Sequence, residues 1–297
     1  MMQSSDNSHA MDRLMAACRA KGSPVCVGLD PVVAKLPDSL GGLEPVAAIE
    51  KFCLEVIDAV AEHVPAIKPQ IACFERFGSA GYAVYERVVT AGRDAGLFVV
   101  GDAKRGDIGT SSAHYAAGLL VGEDPGAVGC DALTINTYLG ADGIEPFVKA
   151  ASATGRGLFA LVRTSNPGGD RLQGLRLEDG RTVAEAVADQ VADLGCRDLG
   201  AGGYSLLGAV VGATKPEDAA SLRQRMPQQI FLVPGFGAQG GSARDVKGCF
   251  KPDGTGAIVT ASRSVIYAFN PADHDWPAAV EQAAVALRQE IGEVLAE

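Results

Sequence analysis

The sequence predicts an α/β fold, a (β/α)8 TIM barrel built as a single domain. Three observations lead there. About eight short β-rich apolar runs alternate with helical patterns along the chain. The runs are apolar almost without interruption, as strands buried on both faces of a parallel sheet are. Most of them also end in a polar group: Asp30, Lys68, Asp102 with Lys104, Asn136, Arg163 with Thr164, Thr214 and Arg263. In a TIM barrel the C-terminal strand ends form one mouth, and chemistry sits there. Packing alone would favour apolar or glycine endings. An open, doubly wound parallel sheet is the alternative that strand counting leaves standing.

Taken in order, residues 1–10 are polar, lack an apolar signal region, and read as a loose tail before a domain over 11–297. The first strand runs from Val25 to Asp30, and Asp30 precedes Pro31. An aspartate there is often only turn chemistry, although its carboxylate could also accept a sugar hydroxyl. Ile49, Phe52, Val56 and Val60 then recur at helical spacing. Ala66 to Gln70 is the second strand, and Pro69, which lacks a ladder donor, places Lys68 near a strand end. Leu97 to Lys104, Ala132 to Asn136 and Leu158 to Thr164 are the third to fifth strands. A polar stretch continues to Gly180 and is longer than a minimal connection, so it reads equally as a lid and as a surface loop. Ser165 within it could hydrogen-bond a heterocycle. Val183, Val187, Val191 and Leu194 mark the next helix. The strands Leu206 to Thr214, Ile230 to Phe236 and Ala257 to Arg263 follow, and an amphipathic helix spans Trp276 to Leu295.

The chain has 297 residues, 47% of them hydrophobic, which suffices for one large core. A formal net charge of −10 argues against a general nucleic-acid binder but not against a small anionic ligand held by a few placed cations. The longest apolar stretches, such as Leu206 to Ala213, are short and broken by glycine, so no membrane span is expected. Seven cysteines are scattered with no C-x-x-C pair, which reads as a reducing cytoplasm without a disulfide framework or zinc. His9, His63, His114 and His274 show no metal-ligand spacing, and no metal site is expected.

The segment richest in chemistry is Gly101-Asp102-Ala103-Lys104-Arg105-Gly106-Asp107-Ile108. Period-two alternation puts Asp102 and Lys104 on one face of the strand, with Asp107 in the following turn. A lysine flanked by two carboxylates is favoured in its charged form. It is then a poor Schiff-base nucleophile, but a good proton donor and a good partner for a developing anion. A structural salt-bridge cluster is the plain alternative for such a pattern. Lys68 adds a second cation from a neighbouring strand. A phosphate site is expected where Pro234-Gly235-Phe236-Gly237-Ala238-Gln239-Gly240-Gly241 follows the seventh strand and Arg263 ends the eighth. Glycines let backbone N–H groups approach an anion, and arginine forks onto phosphate oxygens.

These residues resemble a known family. Asp102-Ala103-Lys104-Arg105-Gly106-Asp107-Ile108 is similar to the signature of orotidine 5′-monophosphate decarboxylases. The resemblance extends in order through Val27 to Pro31, Lys68 to Gln70, Thr134 to Asn136, Thr164 to Gly168, Pro234 to Gly241 and Ala261 to Tyr267. The length and the wording Lys-Arg-Gly-Asp-Ile-Gly are similar to the longer, second-type bacterial branch. The resemblance implies a homodimeric TIM barrel with no metal or organic cofactor. It implies that Lys104 protonates pyrimidine C6 after carbon dioxide leaves and that Asp102 faces the substrate carboxylate. Lys68 would bridge Asp102 and the ribose, and Asp30 would bind a ribose hydroxyl. Asp107, Ile108 and Ser111 would reach the neighbouring subunit's site. Ser165 would contact the pyrimidine, and Gln239 and Gly240 with Arg263 would hold the phosphate. Two rivals stay open: a magnesium-dependent phosphosugar barrel such as a hexulose-phosphate synthase, and a catalytically silent nucleotide-binding barrel.

Overall fold

In the computed structural model of the chain, the described residues are 9–213, 216–236 and 243–297. Eight parallel strands close into a barrel in sequence order. They are β1 (Val25–Leu29), β2 (Ala66–Pro69), β3 (Phe98–Arg105), β4 (Ala132–Ile135), β5 (Gly157–Arg163), β6 (Leu207–Val211), β7 (Phe231–Val233) and β8 (Ala257–Ala261). Closure runs through β1 and β8, with Val25 opposite Val259 and Val27 opposite Ala261. The open sheet is thereby excluded. Each expected run overlaps its strand, β3 extending one residue past its run to Arg105 and β5 starting one residue before its run at Gly157, and Thr214, one of the expected polar endings, lies outside the described residues.

Why the runs read as continuously apolar is visible in β1, Val-Cys-Val-Gly-Leu, every residue of which is buried. Val25, Val27 and Leu29 pack outward against the helices. Cys26 packs inward with Ala66, Phe98, Val100, Ala132, Phe159, Val210, Leu232 and Ile258, which fill the barrel. Alternate side chains thus enter two cores rather than one core and solvent. The helix Pro45–Val60 turns Ile49, Phe52, Val56 and Val60 onto the outer core, as their spacing predicts. The helix Val183–Gly195 opens on a reciprocal cap, in which Thr182 Oγ1 accepts the Glu185 N–H and Glu185 accepts the Thr182 N–H.

The helix Ala10–Lys21 has no counterpart among the sequence expectations. Its Ala10, Met11, Leu14 and Met15 are buried in the inner core and plug the end of the barrel opposite the mouth. Asp131, just before β4, ties it down by accepting from Arg13 Nη2 at 2.9 Å, Arg156 Nη1 at 3.3 Å and the Val99 N–H at 3.0 Å. With this end sealed by apolar side chains, the polar groups of the interior collect at the other.

Candidate active site

A cavity of about 440 Å³ opens at the C-terminal strand ends, and every strand or the segment following it contributes to its wall. That size suits a small ligand. Lys68 rises from β2, Asp102 and Lys104 from β3, Thr134 from β4 and Leu161 from β5. Val210 comes from β6, Leu232 from β7 and Thr260 from β8. Beyond the strands, Asp30, Gln70, Thr164, Ser165, Asn166, Pro234 to Phe236, Ser262 and Arg263 complete it.

Asp102 is the centre of the charge arrangement. Its Oδ2 accepts from Lys68 Nζ at 2.5 Å and from Gln70 Nε2 at 3.0 Å. Its Oδ1 accepts from Lys104 Nζ and, at 3.1 Å, from Thr134 Oγ1. Burial pushes the Asp102 carboxyl up, but the ammonium of Lys68 and then that of Lys104 outweigh burial and hold it well below the usual carboxylate range. Burial likewise pushes Lys68 down, and Asp102 followed by Asp30 reverses that and raises it. Lys68 and Asp102 are nearly sealed from solvent, whereas the Lys104 side chain stays 46% exposed, on the cavity side of the pair.

The end of β1 is held from two sides. Ser262 Oγ donates to Asp30 Oδ2 at 2.7 Å. Tyr267 donates its hydroxyl to the Asp30 carbonyl at 2.9 Å and accepts the Val32 N–H at 2.8 Å. Asp30 Oδ1 is buried and has no partner among the described residues, so it is available to a ligand donor.

Several expectations need correction. Asp102 and Lys104 do meet, but not through regular alternation. The β3–β4 register shifts between Gly101 and Arg105, and Lys104 adopts a left-handed backbone with φ of 47°. Among the described residues Lys104 pairs with one acid, Asp102, rather than two. Asp107 does not line the cavity; its Oδ1 accepts the Ile108 N–H at 2.8 Å, and the turn carries Ile108 and Ser111 outward, both exposed. Arg163 ends β5 but does not face the cavity. Its buried guanidinium donates to Asp218 at 2.8 Å and Asp170 at 2.6 Å, because these two acids on the helices after β6 and β5 reach over it. Ser165 and Arg263 do line the cavity. Gln239 and Gly240 lie outside the described residues.

Gln70, Thr134, Asn166 and Ser262 belong to the cavity wall and were not singled out individually from the sequence. Thr134 gave no signal beyond its place in the family resemblance, since threonine is an ordinary strand residue. Gln70 and Ser262 did carry one, as polar residues at the ends of apolar runs. Among the described residues no group of three or more His, Cys, Asp or Glu is placed to hold a metal ion, and no helix is long and apolar enough to cross a membrane. The described cysteines are all free thiols.

Comparisons with known proteins agree with this geometry. The family model described as orotidine 5′-phosphate decarboxylase / HUMPS family matches residues 23–274. A protein of Rhodopirellula baltica named orotidine 5′-phosphate decarboxylase is 44% identical over 295 residues, covering 94% of this chain and 97% of that one. One of the same name from Deinococcus radiodurans is 44% identical over 272 residues, covering 91% and 92%. Among solved structures, Leishmania donovani OMP decarboxylase superposes with a TM-score of 0.78 at 31% identity, covering 97% of this chain and 100% of that one. With the barrel, the mouth and the lysine–aspartate–lysine arrangement in place, these matches settle the kinship: the chain belongs to the orotidine 5′-phosphate decarboxylase / HUMPS family.

Proposed function

We propose that the chain decarboxylates orotidine 5′-monophosphate to UMP, the last step of de novo pyrimidine nucleotide synthesis, with Lys104 as the proton donor. One observation carries the reading: Asp102 is held between two ammonium groups at the floor of the cavity, one buried and one facing the space a nucleotide would fill. The names of relatives at 44% identity favour this reaction over the phosphosugar chemistry that the same family description also covers.

In this reading the C6–carboxylate bond breaks heterolytically, carbon dioxide leaves, and the electron pair stays on C6 in the plane of the ring. No ring carbonyl is placed to delocalise that pair. The Lys104 ammonium stabilises the charge where it develops and transfers a proton to C6, and the resulting amine is reprotonated from solvent. One well-placed donor of this kind is worth on the order of 3 kcal/mol or more. Asp102 faces the departing carboxylate, and Lys68 keeps Asp102 ionised while reaching toward the ribose. The unpartnered Asp30 Oδ1 takes a ribose hydroxyl. Ser165 contacts the pyrimidine, and Arg263, together with Gln239 and Gly240, holds the phosphate. No metal or organic cofactor takes part. Binding energy at the phosphate, far from C6, is available to favour the transition state.

We place the protein in the cytoplasm as a homodimer, with Asp107, Ile108 and Ser111 reaching the neighbouring site. Support comes from the apolar surface around them: Ile108 is 54% exposed, Tyr138 78% and Leu139 49%. The test is turnover of orotidine 5′-monophosphate by the purified protein, followed by loss of pyrimidine absorbance and release of carbon dioxide, with and without a chelator. Turnover that survives the chelator is expected. Lys104→Ala should fold and lose turnover almost completely; a rate within about tenfold of the parent, or about 1.4 kcal/mol of barrier, sinks the assigned role.

A further inference from the structure

We propose that Thr134 is a positioning residue for Lys104, its hydroxyl holding the left-handed backbone turn that brings the ammonium onto Asp102 at the cavity floor. The inference rests on the reading of Lys104 as the proton donor. Strand β3 pairs with β4 as Gly101 opposite Leu133 and then Arg105 opposite Ile135, so Asp102, Ala103 and Lys104 all face Thr134 alone. A bulge of this kind leaves N–H groups without ladder partners. Thr134 supplies them: its Oγ1 accepts the Ala103 N–H at 3.0 Å and the Lys104 N–H at 2.9 Å. The same hydroxyl donates to Asp102 Oδ1 at 3.1 Å, the oxygen that also takes Lys104 Nζ.

A hydroxyl has one proton and two lone pairs. All three are committed here, and Thr134 is only 1% exposed. Although it borders the cavity, it therefore has nothing left for a ligand and acts through its neighbours. What it holds is costly to hold. Lys104 is the one non-glycine residue with positive φ among the described residues, and such conformations persist only where the surroundings over-determine them. In an unbulged strand, residues two apart lie about 7 Å apart along the chain direction. The bulge instead lets both lysines bind opposite oxygens of one carboxylate.

The test compares Thr134→Val, which keeps the shape and removes the hydroxyl, with Thr134→Ser, which keeps the hydroxyl. Thr134→Ala is measured beside them as the smaller change. UMP affinity by calorimetry reports an intact folded site in each. The Val and Ala variants should lose about a hundredfold in kcat, as a misplaced reacting group does. Their UMP affinity should stay near that of the parent, because phosphate and ribose are held from other strands. Thr134→Ser should recover most of the loss. Parental kcat in both Thr134→Val and Thr134→Ala overturns the proposal, as does a Ser variant as slow as the Val variant, or a loss of kcat and UMP affinity in step. Lys104→Ala assayed in parallel separates the two readings. If it turns over like the parent, the proton-donor role fails; if it is inactive while Thr134→Val is not, only the role of Thr134 fails.

Discussion

Asp102 is the residue on which charge and stability meet. In the folded protein its carboxyl is held below the ordinary range, so as the pH falls the unfolded chain takes up that proton first. Its contribution is fully present above the unfolded value of about 4 and is lost progressively as the pH drops toward the folded value. Asp102→Asn leaves Lys68 buried without its carboxylate and should cost about 3–5 kcal/mol at neutral pH. Urea unfolding at pH 7 and pH 3 checks this, with the gap between parent and variant expected to narrow in acid. An equal gap at both pH values would mean that the ion pair is not what Asp102 contributes.

Among the elements, the close of the barrel is also the wall of the site. Strand β8 pairs with β1, and the short helix after β8 (Arg263–Ile266) carries Arg263 into the cavity and leads straight to Tyr267. The Tyr267 ring stacks on Phe52 with centroids 5.7 Å apart, and its hydroxyl brackets the backbone on either side of Pro31. Tyr267→Phe keeps the stacking and strips both hydrogen bonds. It should cost about 1 kcal/mol, read as a lower urea midpoint. Because Asp30 would lose its fixed position, KM should rise more than kcat falls. Unchanged stability and KM would show that Ser262 and the β1–β8 pairing hold Asp30 without help.

At the scale of the whole molecule, the site is incomplete in a single chain if Asp107 is to take part. Asp107 does not line the chain's own cavity, and Ile108, Tyr138 and Leu139 are exposed apolar residues. In the proposed two-fold dimer that surface would be buried against itself. Asp107→Asn and Lys104→Ala should each impair turnover. Mixed and allowed to exchange subunits, they should recover about a quarter of parental activity, since half of the dimers are then hybrid and each hybrid holds one intact site. Subunit exchange demonstrated by labelled chains, with no recovery, would rule out shared sites.

The barrel, its mouth and the identity of the central charges are legible in the chain's local pattern. Apolar runs and their polar endings are local properties of the chain, and closure puts all strand ends on one side regardless of detail. Asp30, Lys68, Asp102, Lys104 and Arg263 were legible for that reason, Ser165 from the polar stretch after the fifth strand and the family resemblance, and all six line the cavity. How they meet depends on contacts between distant segments. Arg163 looked like a mouth residue until acids 7 and 55 positions away closed over it. Helix Ala10–Lys21 was invisible because its buried face is short and finds its partners only inside the finished barrel. The bend that delivers Lys104 was invisible as well, since a register shift belongs to two strands at once, and the hydroxyl that satisfies it sits 30 residues away. Local pattern sets which groups reach the mouth; hydrogen bonds between distant segments set the distance and direction at which they act.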